Sequence, residues 1–230
     1  MNILKVAETI DNFLHKCNTN YTNSLVRKNH IYIEDKNEYY DTIIKFVKKY
    51  PIFDTIKVVQ LHPSAENGYP HTRPNNIICI PSNARFLSLQ TTLFHEAIHI
   101  HQRNNRTIWL EFLEKEKWIP IDTNKIPERW RDKCRLNPDT IMDQFFCFEN
   151  RYIPLPIFTK ENNPQFGDIK VMFYDLNTGI LEHNPPDSFV RKYGSNRQSE
   201  HPYEIYAVQI ENSIQSNNDI LSFLENRWNK

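Results

Sequence analysis

Apolar residues recur at three- and four-residue intervals at the start of the chain. Ile3, Val6, Ile10, Phe13 and Leu14 thereby share one side of an amphipathic helix predicted over 2–16, with His15 as a surface position. Strict alternation in HIYIED predicts a strand over 30–35, and helical spacing returns in NEYYDTIIKFVKKY, 37–50, until Pro51 stops it. A second strand is expected in IKVVQLHP, 56–63. The apolar run Ile77–Ile80 reads as a short strand between Pro74 and Pro81. Proline near both ends points to the edge of a sheet, where a missing N–H is tolerated. No Pro or Gly interrupts 82–104, which predicts a long helix from about Asn83 to Asn104, followed by helices over 107–118 and 127–134. Asn137-Pro138 disfavours helix, so 135–140 is a turn that Asp139 can cap. From 144 the texture turns to strand, first in FFCFENRYIPLPIF and then in DIKVMFYDLNTGILEH, a hairpin across Leu176-Asn177-Thr178-Gly179. Loops at 184–188 and 193–198 lead into helical residues again. The mixture is that of an α+β fold.

Inside the long helix lies FHEAIH, 94–99, in which His95, Glu96 and His99 spell HExxH. On a helix the two histidines stand one turn apart on one face, so both imidazoles can reach one metal ion. Glu96, one residue along, falls beside the metal, where a base must sit to take a proton from water activated there. A shuffled chain of this composition would contain the pattern only about 0.02 times. With apolar neighbours at Leu93, Ala97, Ile98 and Ile100, the segment resembles the active-site helix of the zincin metallopeptidases. That resemblance implies one catalytic Zn2+ and hydrolysis of an amide, most naturally a peptide bond. It also implies a zincin-like fold: a small mixed sheet with the HExxH helix, a β-rich insertion and C-terminal helices. The β-α-β order ahead of the helix suits the upper lobe of such a fold. By the same likeness, the stretch His71–Pro81, with His71 and Arg73, would form a substrate rim on an edge strand.

A catalytic zinc needs a third protein ligand and an open position. The metzincin pattern would require Gly at 102 and His at 105, but the chain has Gln102 and Asn105. Gluzincins take a Glu from a later helix, and Glu204 followed by Ala207 in SEHPYEIYAVQIEN, 199–212, resembles their ExxA form. Ser199 or His201 can cap that helix, Pro202 suits its first turn, and small Ala207 shares a face with Glu204. Glu204 is the third ligand on this reading, with Glu200, His201 and His183 as the other candidates. An oxyanion-stabilising donor is expected among Tyr203, Tyr206, His201 and Tyr174, and Asp139 is a candidate orienter of a ligand histidine. His101, two residues past His99, faces elsewhere.

The 230 residues suit one catalytic domain, with an upper lobe over about 1–106 and a lower lobe over about 107–230. Lys plus Arg and Asp plus Glu are both 28, so formal net charge is zero and bulk electrostatics favours neither nucleic acid nor an anionic membrane. The expected partner is a peptide or protein substrate. MNILKVAETIDNFLHKC lacks the continuous apolar core of a signal peptide, and no stretch is apolar enough to span a bilayer. Cys17, Cys79, Cys134 and Cys147 form no CxxC pair and read as reduced structural thiols. A soluble, intracellular protein is the expectation. Two other functions remain open: a zincin-fold binding or structural protein that has lost turnover, and a module in which the motif is coincidental.

Overall fold

The computed structural model describes residues 3–16, 38–84, 89–161, 164–195 and 200–228; the strand expected at 30–35, Cys17 and Ser199 lie outside them. In chain order come helices α1 (Ile3–Asp11), α2 (Phe13–Lys16) and α3 (Glu38–Val47), then strands β1 (Lys57–Leu61), β2 (His71–Arg73) and β3 (Ile77–Pro81). Helices α4 (Leu89–Asn104) and α5 (Arg106–Lys115), strand β4 (Trp118–Pro120) and helix α6 (Glu128–Arg131) follow. Strands β5 (Phe146–Phe148), β6 (Tyr152–Phe158), β7 (Ile169–Asp175) and β8 (Leu181–Glu182) precede helices α7 (Asp187–Tyr193), α8 (Pro202–Ile210) and α9 (Asn217–Trp228). The protein is a mixed α+β structure with small sheets. Its described residues group into two compact units, one built from those up to Asn105 together with Ala207 onward, the other from Arg106–Tyr206. Among the described residues, no helix is long and apolar enough to cross a membrane.

In the first unit β1 and β3 run parallel, from Lys57 opposite Ile77 to Leu61 opposite Pro81, and β2 joins β3 antiparallel on its other side. The strand expected at a sheet edge is therefore central. Its prolines do not conflict with this, because Pro74 lies outside β3 and Pro81 is its last residue. All five residues of β3 are buried, as a strand covered on both faces requires. Helix α1 packs Leu4 and Ala7 against Val59, Leu61, Ala65, Ile77 and Cys79. Its buried face is Leu4, Ala7 and Asp11, whereas Ile10 and Leu14 are 52% and 39% exposed. The apolar count misplaced that face because a charged residue belongs to it. Asp11 is buried against the guanidinium of Arg73, which donates from Nε to Asp11 Oδ2 and from Nη2 to Glu8 Oε2, both at 2.8 Å. Arg73 also lies over the Phe13 ring at 5.0 Å. Arg73 and His71 are both buried in β2, so Arg73 ties the sheet to α1 instead of standing on a substrate rim.

From Leu93 to Gln102 every residue of α4 except His95 is buried. Phe94 anchors the helix among Phe46, Tyr50 and Phe53, with ring centroids 6.1, 5.1 and 5.5 Å away. Burying such a ring contributes about 2–3 kcal/mol, enough to fix the helix's rotation. Residues 85–88, ahead of α4, lie outside the described part.

The second unit is built on a five-stranded antiparallel sheet in the order β4-β5-β6-β7-β8. The expected hairpin across 176–179 joins β7 to β8, and a tight turn with positive φ at Glu149 and Asn150 joins β5 to β6. Pro154 and Pro156 sit inside β6, where the β7-facing ladder remains continuous from Tyr152 to Phe158. Their missing donors are on the other side, which among the described residues carries the Phe148–Tyr152 pair and the bridge from Cys134 to Ile157. That bridge explains why the helix expected over 127–134 stops at Arg131: Arg135 donates its N–H to the Pro156 carbonyl at 2.7 Å, drawing 133–135 into an extended path. The helix expected to reach 118 ends at Lys115, and Trp118 turns into β4. One sheet face packs Phe145, Cys147, Ile153, Leu155, Ile157, Met172 and Tyr174.

Arg151 grips Asp175 through Nε and Nη2, the shortest contact being 2.7 Å, across the Tyr152–Asp175 pair of the ladder. The Arg151 hydrogen bonds hold the Asp175 carboxyl down to about 2, against 3.8 ordinarily, although burial opposes them. A depressed carboxyl stabilises the fold above its unfolded pKa and ceases to do so as pH falls through its folded one. Because Arg151 is 41% exposed, the gain is on the order of 1 kcal/mol. Asp175→Asn should cost that amount at neutral pH, the difference narrowing below about pH 4 and vanishing only below pH 2. Urea unfolding of both proteins across that range checks it.

A candidate metal centre

His95 and His99 lie one turn apart on α4, as the motif requires. Their Nε2 atoms approach to 3.0 Å, with the ring planes inclined at 76° and centroids 4.7 Å apart. Behind each ring stands an oxygen. Glu211 Oε2 is 2.7 Å from His95 Nδ1, and Gln102 Oε1 is 2.8 Å from His99 Nδ1. Carboxylate and amide oxygens only accept, so each Nδ1 carries the hydrogen and donates it. With both rings neutral the Nε2 atoms present lone pairs to one another; a proton on either makes the 3.0 Å contact an N–H···N hydrogen bond, and a metal ion would use both lone pairs. Two nitrogens at 2.0–2.1 Å from one tetrahedral zinc stand about 3.3 Å apart. The observed separation is close to that, and the donor types suit the same ion. Two imidazole nitrogens so placed could share one metal ion, zinc among them.

Glu96 is buried beside this pair, 4% exposed, on the next position of the helix. His101, on another face, is also buried, and burial pushes its pKa down to about 4. Glu211 belongs to the turn that continues α8, its N–H donating to the Ala207 carbonyl at 3.0 Å. The next residue, Asn212, accepts from the Thr91 hydroxyl of α4 at 3.1 Å.

Glu204 lies near the start of α8, in the portion belonging to the second unit, and is buried. His201 caps the helix, its Nδ1 accepting from the Tyr203 N–H at 3.1 Å while Nε2 donates to the Asp143 carbonyl at 2.7 Å. With both ring nitrogens so used, His201 is a structural cap rather than a ligand. Asn137 Nδ2 donates to Glu204 Oε1 at 2.7 Å and to Glu200 Oε1 at 3.2 Å, and its own Oδ1 accepts from the Asp139 N–H at 3.1 Å. The predicted turn over 135–140 thus serves to aim one amide at two carboxylates. Glu200 also receives Arg135 at 2.9 Å. Burial raises the Glu200 carboxyl pKa, with Arg135 opposing and Glu204 adding to the rise.

The remaining candidates are placed as follows. His183 is exposed and Tyr174 packs in the sheet core. The Tyr203 hydroxyl donates to Asp143 at 3.2 Å, and Tyr206 donates to Glu116 at 2.8 Å beside the Tyr193 hydroxyl. Burial raises the pKa of both tyrosines, and the neighbouring acids add to it. Asp139 shares the Asn137 turn, whereas within the first unit the histidine Nδ1 acceptors are Glu211 and Gln102. Asn137 and Glu211 carry no sequence signal of their own. Gln102, three residues after His99, was identifiable from helical spacing alone.

No protein-family profile matches the chain, and neither does any curated protein or solved structure.

Proposed function

We propose that this protein is a zinc-dependent metallopeptidase of the zincin type, gluzincin-like in its ligand set. His95, His99 and Glu204 hold the metal, and Glu96 is the general base. The observation that carries this reading is the convergence of two imidazole Nε2 atoms at 3.0 Å, each ring held from behind at Nδ1. The donor types support it: His95 and His99 each offer an imidazole nitrogen and Glu204 a carboxylate oxygen, the ligand atoms that zinc takes. Two imidazoles and a carboxylate, with a position left for water, are what a catalytic zinc takes.

When bound, zinc lowers the pKa of water towards neutrality and polarises a substrate carbonyl. The chain's own groups do the rest. The Glu96 carboxylate takes a proton from the attacking water as its oxygen bonds to the carbonyl carbon, and returns that proton to the leaving nitrogen as the C–N bond breaks. Gln102 and Glu211 keep the imidazoles turned, and Asn137 holds the Glu204 carboxylate. A zincin-like arrangement of the α+β elements, with a peptide or protein as substrate, belongs to the same proposal.

Elemental analysis of purified protein tests it. One zinc per chain is expected in the wild type and none in His95→Ala. Wild-type protein that takes up no zinc, even after reconstitution, would demote HExxH to an ordinary helical sequence.

A further inference from the structure

We infer that Glu211 and Gln102 are positioning residues: together they select Nε2 as the nitrogen each histidine turns to the metal, and Glu211 sets the larger share of the affinity. The inference rests on the zinc reading above and concerns what stands behind the ligands. A neutral imidazole can carry its hydrogen on either nitrogen, and the acceptor it meets decides which. His99 meets its acceptor locally, since Gln102 lies three residues on in the same buried stretch of α4. His95 meets one from far along the chain, Glu211 being 116 residues away.

The two acceptors differ in charge. A carboxylate on an imidazole N–H makes a charge-assisted bond, roughly twice as strong as one to an amide oxygen, and pushes electron density towards the opposite nitrogen. The 2.7 Å contact lies between side chains that are each 15% exposed, so solvent screens it only in part. His95 is thereby the more strongly donating of the two ligands, even though it is the less buried. Without its carboxylate, the His95 ring would be free to carry hydrogen on Nε2, and the ion would have to displace it.

The structure also supplies a control. Residues 211 and 212 touch α4 at two points one turn apart, Glu211 at His95 and Asn212 at Thr91. The first contact reaches a ligand ring. The second fastens the same segment to the same helix without touching one. If Glu211 served only to dock this segment, loss of either contact would have the same consequence.

Competition titration of metal-free protein against a zinc-chelating dye tests the inference, with thermal unfolding of the metal-free proteins alongside. Glu211→Ala is expected to weaken zinc binding about 100-fold and Gln102→Ala about 10-fold. Glu211→Gln, whose amide oxygen still accepts the Nδ1 hydrogen, should recover all but about 10-fold. Thr91→Val should bind within about 3-fold of wild type, with any loss confined to the unfolding temperature. Wild-type affinity in Glu211→Ala would overturn the assignment, and so would a loss in Thr91→Val matching that in Glu211→Ala. If Glu211→Ala does not fold, Glu211→Gln against Thr91→Val decides alone: equal affinities at the wild-type level refute a role for the carboxylate charge. Absence of zinc from wild type would sink the metallopeptidase reading itself, whereas zinc in wild type with no loss in the Glu211 variants sinks only this inference.

Discussion

Glu96→Gln is expected to abolish hydrolysis of a fluorescently labelled casein while leaving one zinc on each chain. The substitution preserves shape and volume at a position only 4% exposed, so the packing of α4 around Leu93, Phe94, Ala97 and Ile98 should not change. An amide cannot take a proton from the attacking water, and general-base contributions of this kind amount to about 10²–10⁴ in rate. Neither His95 nor His99 loses its Nδ1 acceptor in the variant, so metal affinity is expected within about 3-fold of wild type. Turnover that survives in Glu96→Gln would refute the assigned base. A wild-type protein that binds zinc but cleaves nothing would favour the binding or structural role instead. Activity and metal content must therefore be read on the same preparations.

The parts of this arrangement that were legible in the sequence are those with local causes. His95 and His99 meet because a helix returns every fourth residue to one face, and no Pro or Gly stood between 82 and 104 to break it. The hairpin of β7 and β8 announced itself through its Asn-Thr-Gly turn. Failures occurred where a distant partner decided the matter. Asp11 is buried because Arg73 is 62 residues away, and without that partner the apolar residues of α1 point to the wrong face. Strand β3 is central because β2 covers its other side, a pairing that the prolines at its ends neither favour nor forbid. His201 had the makings of a ligand until Asp143 and the first turn of α8 occupied its two nitrogens. Glu211 carries no local signal, since only the packing of its turn against α4 gives it a ring to hold.

On the proposed ligand set, removing Glu204 should abolish tight zinc binding. Glu204→Ala leaves two neutral imidazoles as protein ligands, and a loss of affinity on the order of a thousandfold is expected. The cost to the metal-free fold should be far smaller. Asn137 retains Glu200 as an acceptor, and Glu200 loses the neighbouring negative charge that helps raise its pKa, which eases the burial of that carboxylate beside Arg135. These opposite expectations make thermal unfolding with and without metal the decisive comparison. Zinc at about 1,000 times its Kd stabilises a folded state by about 4 kcal/mol if it binds only that state. Wild-type protein should show a shift of that size, and Glu204→Ala almost none at the same zinc concentration. Full zinc-dependent stabilisation in Glu204→Ala would exclude Glu204 from the ligand set. Glu200, one turn earlier on the chain and sharing the Asn137 amide, would then be the carboxylate to replace, and Glu200→Gln would be expected to abolish the shift that Glu204→Ala had spared.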